Sequence, residues 1–163
     1  MFLMKRPKIY LDTSVISYLD QTDSPEKMAD TLKFWAYLKK GAGNIDVLVS
    51  RVTLDEIEEN REPKRSKLKA FLDEIEYVTV EISDEIRAVA DKFIDNGLLS
   101  KKSYDDCIHI ACSLVHDCTC IMSWNFKHIV NLKMINGVKL VAAQTGYGFA
   151  TFICTPSYLL EGI

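Results

Sequence analysis

With 163 residues, the chain has the length of one globular domain. Hydrophobic residues make up 48% of it and charged residues 26%, which excludes a disordered or fibrous chain. The formal net charge of −3 excludes a protein that coats nucleic acid by charge alone, so a role on nucleic acid requires a local basic patch or a bound cation.

The cysteines and the first residues of the chain indicate which cellular compartment to expect. The five cysteines are odd in number and do not predict a secreted disulfide framework, so a reducing, cytoplasmic setting is expected. No apolar run approaches the roughly 20 residues of a membrane helix, and no membrane contact is expected. Lys5 and Arg6 come too early for a signal peptide, and the start at Met1 or Met4 stays open.

Short β-rich runs alternate with helical patterns along the chain. The runs lie at residues 9–11, 47–49, 78–80, 120–122 and 138–141, and continuous apolar runs fit strands buried on both faces. Apolar residues with helical spacing occur at residues 28–38, 68–75, 86–93 and 108–115. This alternation predicts an α/β fold with a central parallel sheet.

The turns and breaks along the sequence indicate a single domain. Residues 41–44 predict a turn before the second strand, and Pro63 predicts a break between helices. No repeat or long linker is present. We therefore expect one domain over residues 1–163, with a core at about 8–145 and an irregular tail at 146–163.

Polar side chains follow three of the predicted strands, where an open parallel sheet binds its ligands. Asp12 comes directly after the first strand, Glu56 shortly after the second, and Asn125 shortly after the fourth. Asp106 opens the apolar helix at 108–115. Carboxylate oxygens crowded together attract Mg²⁺ or Mn²⁺, and the hydroxyl of Ser14 lies close by in sequence.

Each acid also has a structural explanation, which the sequence leaves open. Asp12 is a good N-cap for the helix that follows it. Glu56 lies in an acidic stretch that suits a solvated helix face. Asp106 can close a capping box with Ser103, and His109, one turn later, can orient an acid or be a buried structural histidine.

Four segments together resemble a known family. The segments YLDTSVI (residues 10–16), VTLDEI (52–57), DCIHIA (106–111) and SWNFKH (123–128) resemble those of PIN domains, and among them the VapC toxins of toxin–antitoxin pairs. The resemblance extends over residues 8–131, and the ending at 152–160 is similar to the tail of one PIN subgroup.

The resemblance implies a three-layer α/β/α sandwich and a ribonuclease that depends on Mg²⁺ or Mn²⁺. It implies a homodimer, an RNA substrate and an antitoxin protein as partner. It assigns the catalytic and metal-binding acids to Asp12, Glu56 and Asp106: Asp12 and Asp106 hold the metal, and Glu56 ligates it or orients the attacking water. Asn125 falls where many members have a fourth acid, and Ser123 falls near the metal.

Further residues are candidates for substrate contact. Ser14, Ser123, Lys127 and His128 are expected to meet the RNA, with Lys133 nearby. A second basic cluster contacts phosphates or is a solvated helix face; it comprises Arg61, Lys64, Arg65, Lys67 and Lys69. Trp35 and Trp124 are expected in the core or an interface. The spacing of His116, Cys118 and Cys120 matches no usual zinc site.

Two other function classes compete with the nuclease. The replacement of a fourth acid by Asn125 suggests a PIN-fold module that binds RNA or protein with weak or lost catalysis. A phosphoacceptor domain also uses an acidic pocket, but its third strand leads to Asp, whereas the run at 78–80 leads to Glu81. No glycine-rich phosphate loop is present.

Overall fold

The computed structural model describes residues 5–41 and 44–161. Met1 and Met4, the two candidate start residues, and two residues of the predicted turn at 41–44 lie outside this part. Within it, five strands form one sheet: β1 (Lys8–Leu11), β2 (Asp46–Ser50), β3 (Val78–Val80), β4 (Cys120–Met122) and β5 (Phe152–Cys154).

The sheet is parallel, with the strand order β3-β2-β1-β4-β5. β1 is central, and its Tyr10 is in register with Leu48 of β2 and Ile121 of β4. The chain moves from β1 to β2 and β3 on one side, and then places β4 and β5 on the other. The strand order thus reverses between β1 and β4, which is where open parallel sheets form a ligand crevice.

The described residues also form eight α-helices: α1 (Thr13–Ser17), α2 (Pro25–Lys40), α3 (Arg51–Glu58), α4 (Lys64–Leu72), α5 (Asp84–Asp95), α6 (Tyr104–Val115), α7 (Leu132–Thr145) and α8 (Pro156–Glu161). The helical patterns predicted at 28–38, 68–75, 86–93 and 108–115 correspond to α2, α4, α5 and α6. The break predicted at Pro63 separates α3 from α4. None of the helices in residues 5–41 and 44–161 has the length and apolar character needed to cross a membrane.

Two hydrophobic layers cover the two faces of the sheet. Alternate strand residues face opposite sides. Tyr10 and Ile121 pack with residues of α5, α6 and α7, whereas Ile9 and Leu11 pack with residues of α1, α2 and α4. The predicted α/β/α sandwich with a parallel sheet is therefore confirmed.

The strand predicted at residues 138–141 is wrong, because these residues belong to α7. Met134, Val138 and Val141 are buried, while Leu140 is exposed, so the buried positions recur at spacings of four and three residues. Gly146, in the left-handed region at φ 80°, ends the helix. A run of four residues with three apolar side chains fits either structure, and here the buried positions follow the helical register.

The tail predicted as irregular at 146–163 contains a strand and a helix. β5 extends the sheet by pairing with β4, where Ile153 is in register with Ile121. α8 follows and packs on α2, with the Ser157 hydroxyl donating to Asp30 at 2.5 Å. The glycines that suggested an irregular tail occupy only the connection between α7 and β5.

Candidate metal centre at the reversal of strand order

Asp12 lies at the end of β1, beside the point where the strand order reverses. It caps α1 through the Val15 N–H at 3.3 Å, as the structural explanation predicted, but it does more than cap. Its carboxylate also accepts hydrogen bonds from the hydroxyls of Ser14 (2.5 Å) and Ser123 (2.6 Å). Burial raises the pKa of Asp12, and these bonds and the charge of His109 offset only part of that rise.

Glu56 points from α3 toward the same crevice. The start of α3 is fixed by a reciprocal capping box, in which Ser50 and Thr53 each bind the other's backbone N–H. The Oε1 atom of Glu56 accepts hydrogen bonds from the Thr13 hydroxyl at 3.0 Å and from His109 Nε2 at 2.7 Å. Burial opposes ionisation, but His109 and Thr13 outweigh it and lower the pKa of Glu56. The solvated helix face considered for Glu56 does not describe its position.

His109 connects Glu56 to the core beneath the site. It is 2% exposed, and its Nδ1 lies 2.6 Å from the hydroxyl of Tyr10, which in turn donates to Ser50 at 2.8 Å. Burial alone lowers the pKa of His109, but the neighbouring carboxylates, Glu56 foremost, raise it by more. The charged imidazolium is therefore favoured beside Glu56, so His109 holds one oxygen of that acid in place.

Asp106 occupies the first turn of α6, with a second histidine as its neighbour. Its Oδ2 lies 2.8 Å from His128 Nδ1, and its Oδ1 accepts a hydrogen bond from Asn125 Nδ2 at 3.2 Å. Burial raises the pKa of Asp106 by more than the nearby histidines lower it. The capping box predicted with Ser103 is wrong: the Ser103 hydroxyl makes no cap bond and lies 3.5 Å from His128 Nε2.

Asn125 joins Asp106 to the Asp12 side of the crevice. Its backbone N–H donates at 2.9 Å to the Ser123 hydroxyl, which itself donates to Asp12. Its side-chain oxygen accepts the His128 backbone N–H at 2.9 Å. That donor fixes the amide orientation, so the nitrogen of Asn125 faces Asp106. Asn125 therefore offers the crevice a hydrogen-bond donor where a fourth acid would offer charge.

Comparison with known proteins identifies the family. The family model described as "PIN domain" matches residues 9–127, which is more than half of the chain. The chain belongs to the PIN domain family. This membership confirms the resemblance inferred from the four sequence segments.

A solved structure has a similar fold at low sequence identity. A chain in the crystal structure of VapBC2 from Rickettsia felis, bound to a DNA fragment from its promoter, superposes with a TM-score of 0.56 at 14% identity. The superposition covers 91% of this PIN domain and 98% of that chain. At this identity the likeness shows the fold alone. No curated protein matches the sequence.

The donor groups of this PIN domain fit a hard divalent cation. Asp12 is a buried carboxylate with neutral hydrogen-bond donors as its partners, and such a charge calls for a cation. Among the described residues, no three His, Cys, Asp or Glu side chains are grouped closely enough to enclose a metal by themselves. Mg²⁺ usually takes only one or two carboxylates and fills its other positions with water and substrate phosphate. Asp12 and Asp106 match that pattern.

Of the residues predicted to contact the RNA, the two serines bind Asp12, whereas Lys127 and His128 line a surface cavity. Ser14 and Ser123 both donate to Asp12 and accept backbone N–H groups, of Trp124 and Asn125 respectively, at 2.9 Å. These two serines thus support the acid. Lys127 is exposed beside a surface cavity of about 450 Å³ that His128 and Lys133 also line. His128 contacts this cavity and Asp106 at once.

The second basic cluster, over residues 61–69, makes contacts that suit a solvated helix face. Arg65 pairs with Glu62, Lys67 with Asp20 and Lys69 with Glu58, and Lys64 donates to Gln21.

The sequence did not identify the residues that orient the acids. Thr13 was considered only as one of the hydroxyls that follow Asp12, Tyr10 was not singled out, and His109 was given two possible roles. The signal for Thr13 was its position beside Asp12, and the signal for His109 was its place one turn after Asp106 on the same helix. Contacts of His109 with Glu56 and with Tyr10 join residues 53 and 99 positions apart.

Proposed function

We propose that this PIN domain is a divalent-cation-dependent endoribonuclease. One observation carries the proposal: Asp12, Glu56 and Asp106, from three different elements, converge at the reversal of strand order in hydrogen-bonded surroundings. Asp12 is buried and Glu56 and Asp106 are partly buried, and desolvating carboxylates costs folding free energy unless a ligand uses them. Such a constellation suits hydrolysis of a phosphodiester.

The cation would be held by Asp12 and Asp106, and when bound it supplies charge that offsets the phosphate oxygens and acidifies water. The chain's own residues arrange the rest. The lowered pKa of Glu56 leaves it ionised at neutral pH, and His109 and Thr13 both bind its Oε1. Among the described residues Oε2 has no hydrogen-bond partner, so it is available to a water molecule.

Hydrolysis then needs one proton acceptor. The oxygen of water attacks phosphorus, Glu56 accepts the water proton, and the bond from phosphorus to the leaving ribose oxygen breaks. That oxygen takes a proton from solvent. Lys127 and Lys133, beside the cavity that reaches His128, contact the flanking phosphates.

We further propose that the nuclease is the toxin of a toxin–antitoxin pair and acts as a homodimer. The support is the sequence resemblance to VapC toxins together with the fold shared with a chain of VapBC2. A small antitoxin protein would then cover the carboxylate crevice and silence it. Co-purification with the product of a neighbouring reading frame, followed by loss of RNA cleavage, tests this part.

The first experiment is cleavage of a mixed RNA pool by purified protein with Mn²⁺, Mg²⁺ or EDTA. Asp106→Asn and Asp12→Asn remove one carboxylate charge each and keep the side-chain volume. Asp105→Asn is the matched control, because Asp105 is exposed on the same helical turn. We expect cation-dependent cleavage by the wild type and the control, and a loss of at least about 100-fold in both other variants.

Three outcomes would speak against the nuclease. Equal cleavage by the wild type and Asp106→Asn indicates a contaminating enzyme or a different site. Cleavage in the presence of EDTA would show that the reaction needs no divalent cation. Wild-type protein that binds Mn²⁺ but cleaves no RNA leads to the second candidate function.

The second candidate is a PIN-fold module that binds RNA or protein with weak or lost catalysis. It is favoured by Asn125, whose amide nitrogen faces Asp106 in place of a carboxylate. Replacement of Asn125 by Asp separates the two candidates. A module that lost catalysis through this residue gains cleavage in Asn125→Asp, whereas an active nuclease cleaves RNA before the change.

A further inference from the structure

An aromatic and cationic patch lies beside the carboxylate crevice, formed by Tyr18, Lys27, Trp124 and Phe126. Trp124 packs between the other two rings, with centroids 5.9 Å from Tyr18 and 6.3 Å from Phe126. The Lys27 ammonium lies 4.9 Å from the centroid of Phe126 and 5.8 Å from the centroids of Tyr18 and Trp124. These distances are within the range of cation–π contacts.

The patch is fixed by hydrogen bonds to the core and to the site. The indole N–H of Trp124 donates to the Thr31 hydroxyl at 2.9 Å, and that hydroxyl donates to the Lys27 carbonyl at 2.5 Å. The Trp124 backbone N–H donates at 2.9 Å to Ser14, which binds Asp12. Trp124 is therefore held in a constant position relative to Asp12.

Phe126 is the most exposed member of the patch, and Lys27 is half-buried beside it. Trp124 is 6% exposed and matches the core position expected for it, but Phe126 is 47% exposed. Within residues 5–41 and 44–161, Lys27 has no ion pair with an acidic side chain, whereas several other surface lysines have one. An exposed ring with an unneutralised ammonium over it leaves both an apolar face and a positive charge for a ligand.

Resting on the proposed nuclease function, we propose that this patch binds the nucleotide next to the scissile phosphate of single-stranded RNA. Phe126 stacks on the nucleobase, and Lys27 contacts a phosphate of the same strand. Aromatic stacking with a nearby cation is how proteins hold single strands without reading their sequence. RNA suits the patch better than a protein segment because the free charge is positive and the patch continues into the carboxylate crevice.

The test compares steady-state kinetics on an RNA oligonucleotide that the wild type cleaves at one mapped position. Phe126→Leu keeps an apolar side chain and removes the aromatic face, and Phe126→Tyr keeps the ring as a matched control. We expect Phe126→Leu to raise KM about tenfold with kcat changed less than about twofold, and Phe126→Tyr to match the wild type. Lys27→Gln raises KM several-fold and weakens its dependence on salt concentration.

Binding of the same oligonucleotide, followed by fluorescence anisotropy with Ca²⁺ in place of Mn²⁺, separates this inference from the nuclease proposal. If the wild type cleaves no RNA, tighter binding by the wild type and Phe126→Tyr than by Phe126→Leu still supports the patch. Equal KM and equal binding in the wild type and Phe126→Leu overturn it, as expected if the patch meets a protein partner. Absence of RNA binding by the wild type overturns it as well.

Discussion

The site contains two histidine–carboxylate pairs in different surroundings. His109 and Glu56 meet at 2.7 Å, and His128 and Asp106 meet at 2.8 Å. The side chain of His109 is 3% exposed and that of His128 is 28% exposed. The two acids are both partly exposed, so the pairs differ in the histidine, which lies in the core in one pair and at the rim of a cavity in the other.

The two histidines also differ in the contact that the second ring nitrogen makes. His109 Nδ1 lies 2.6 Å from the buried Tyr10 hydroxyl, whereas His128 Nε2 has, among the residues that the structure describes, Ser103 as its one partner, at 3.5 Å. A histidine held through both nitrogens orients its acid permanently. We infer that His109 keeps Glu56 in place, and that His128 can leave Asp106 when a ligand arrives.

The largest expected effect of this difference is on stability. His109→Ala removes the partner of the buried Tyr10 hydroxyl and of the partly exposed Glu56, and leaves a cavity. We expect the free energy of unfolding to fall by about 3 kcal/mol. His128→Ala breaks a partly exposed pair, and we expect a loss below about 1 kcal/mol. Urea unfolding followed by circular dichroism measures both.

A conservative substitution controls for the volume of the ring. His109→Gln keeps a donor toward Glu56 and fills most of the space, so we expect it to lose less stability than His109→Ala. Equal losses in His109→Ala and His128→Ala would show that the two pairs do not differ in the way their burial indicates.

The pair of His109 and Glu56 also predicts a pH dependence. The pKa of His109 is raised on folding, so its stabilising effect is complete below the unfolded value of about 6.5 and is lost as pH rises through the folded value. The pKa of Glu56 is lowered, so its contribution is present above about 4.5 and is lost as pH falls through the folded value.

The stability difference between the wild type and His109→Gln is therefore expected to be largest between about pH 4.5 and 6.5 and to shrink by pH 9. Urea midpoints at intervals of half a pH unit give this difference directly. His116→Gln, at the far end of α6, is the control and is expected to show no such maximum. A difference that grows from pH 6 to pH 9 contradicts a charged His109.

The same two pairs show how far the sequence predicts the site. Asp12 and Asp106 could be found because each lies at a recognisable boundary. Asp12 directly follows a strand, and Asp106 lies in the first turn of an apolar helix. Glu56 lies in a run of acids, and its direction depends on where α3 begins. The reciprocal bonds of Ser50 and Thr53 fix that start, and their geometry is set only in the folded chain.

Pairings between distant elements are the part that sequence periodicity cannot supply. Periodicity predicted the apolar face of α6, but not that His109 on this helix has partners on β1 and α3. The same limit explains the misassigned fifth strand. A run of four residues with three apolar side chains fits a strand or a helix, and only its neighbours at Met134 and Ala142 show that the register is helical.

The smallest expected effect is on cation affinity, and there the two histidines act in opposite directions. His128 Nδ1 occupies Asp106 Oδ2, so His128→Gln leaves that oxygen more available, and we expect Mn²⁺ to bind about threefold more tightly. His109→Gln loosens the neighbouring acid, Glu56, and we expect about tenfold weaker binding. Titration calorimetry at pH 7 measures both, with His116→Gln as the control. Changes in the same direction would mean that both histidines orient their acids, and that His128 is as permanent a part of the site as His109.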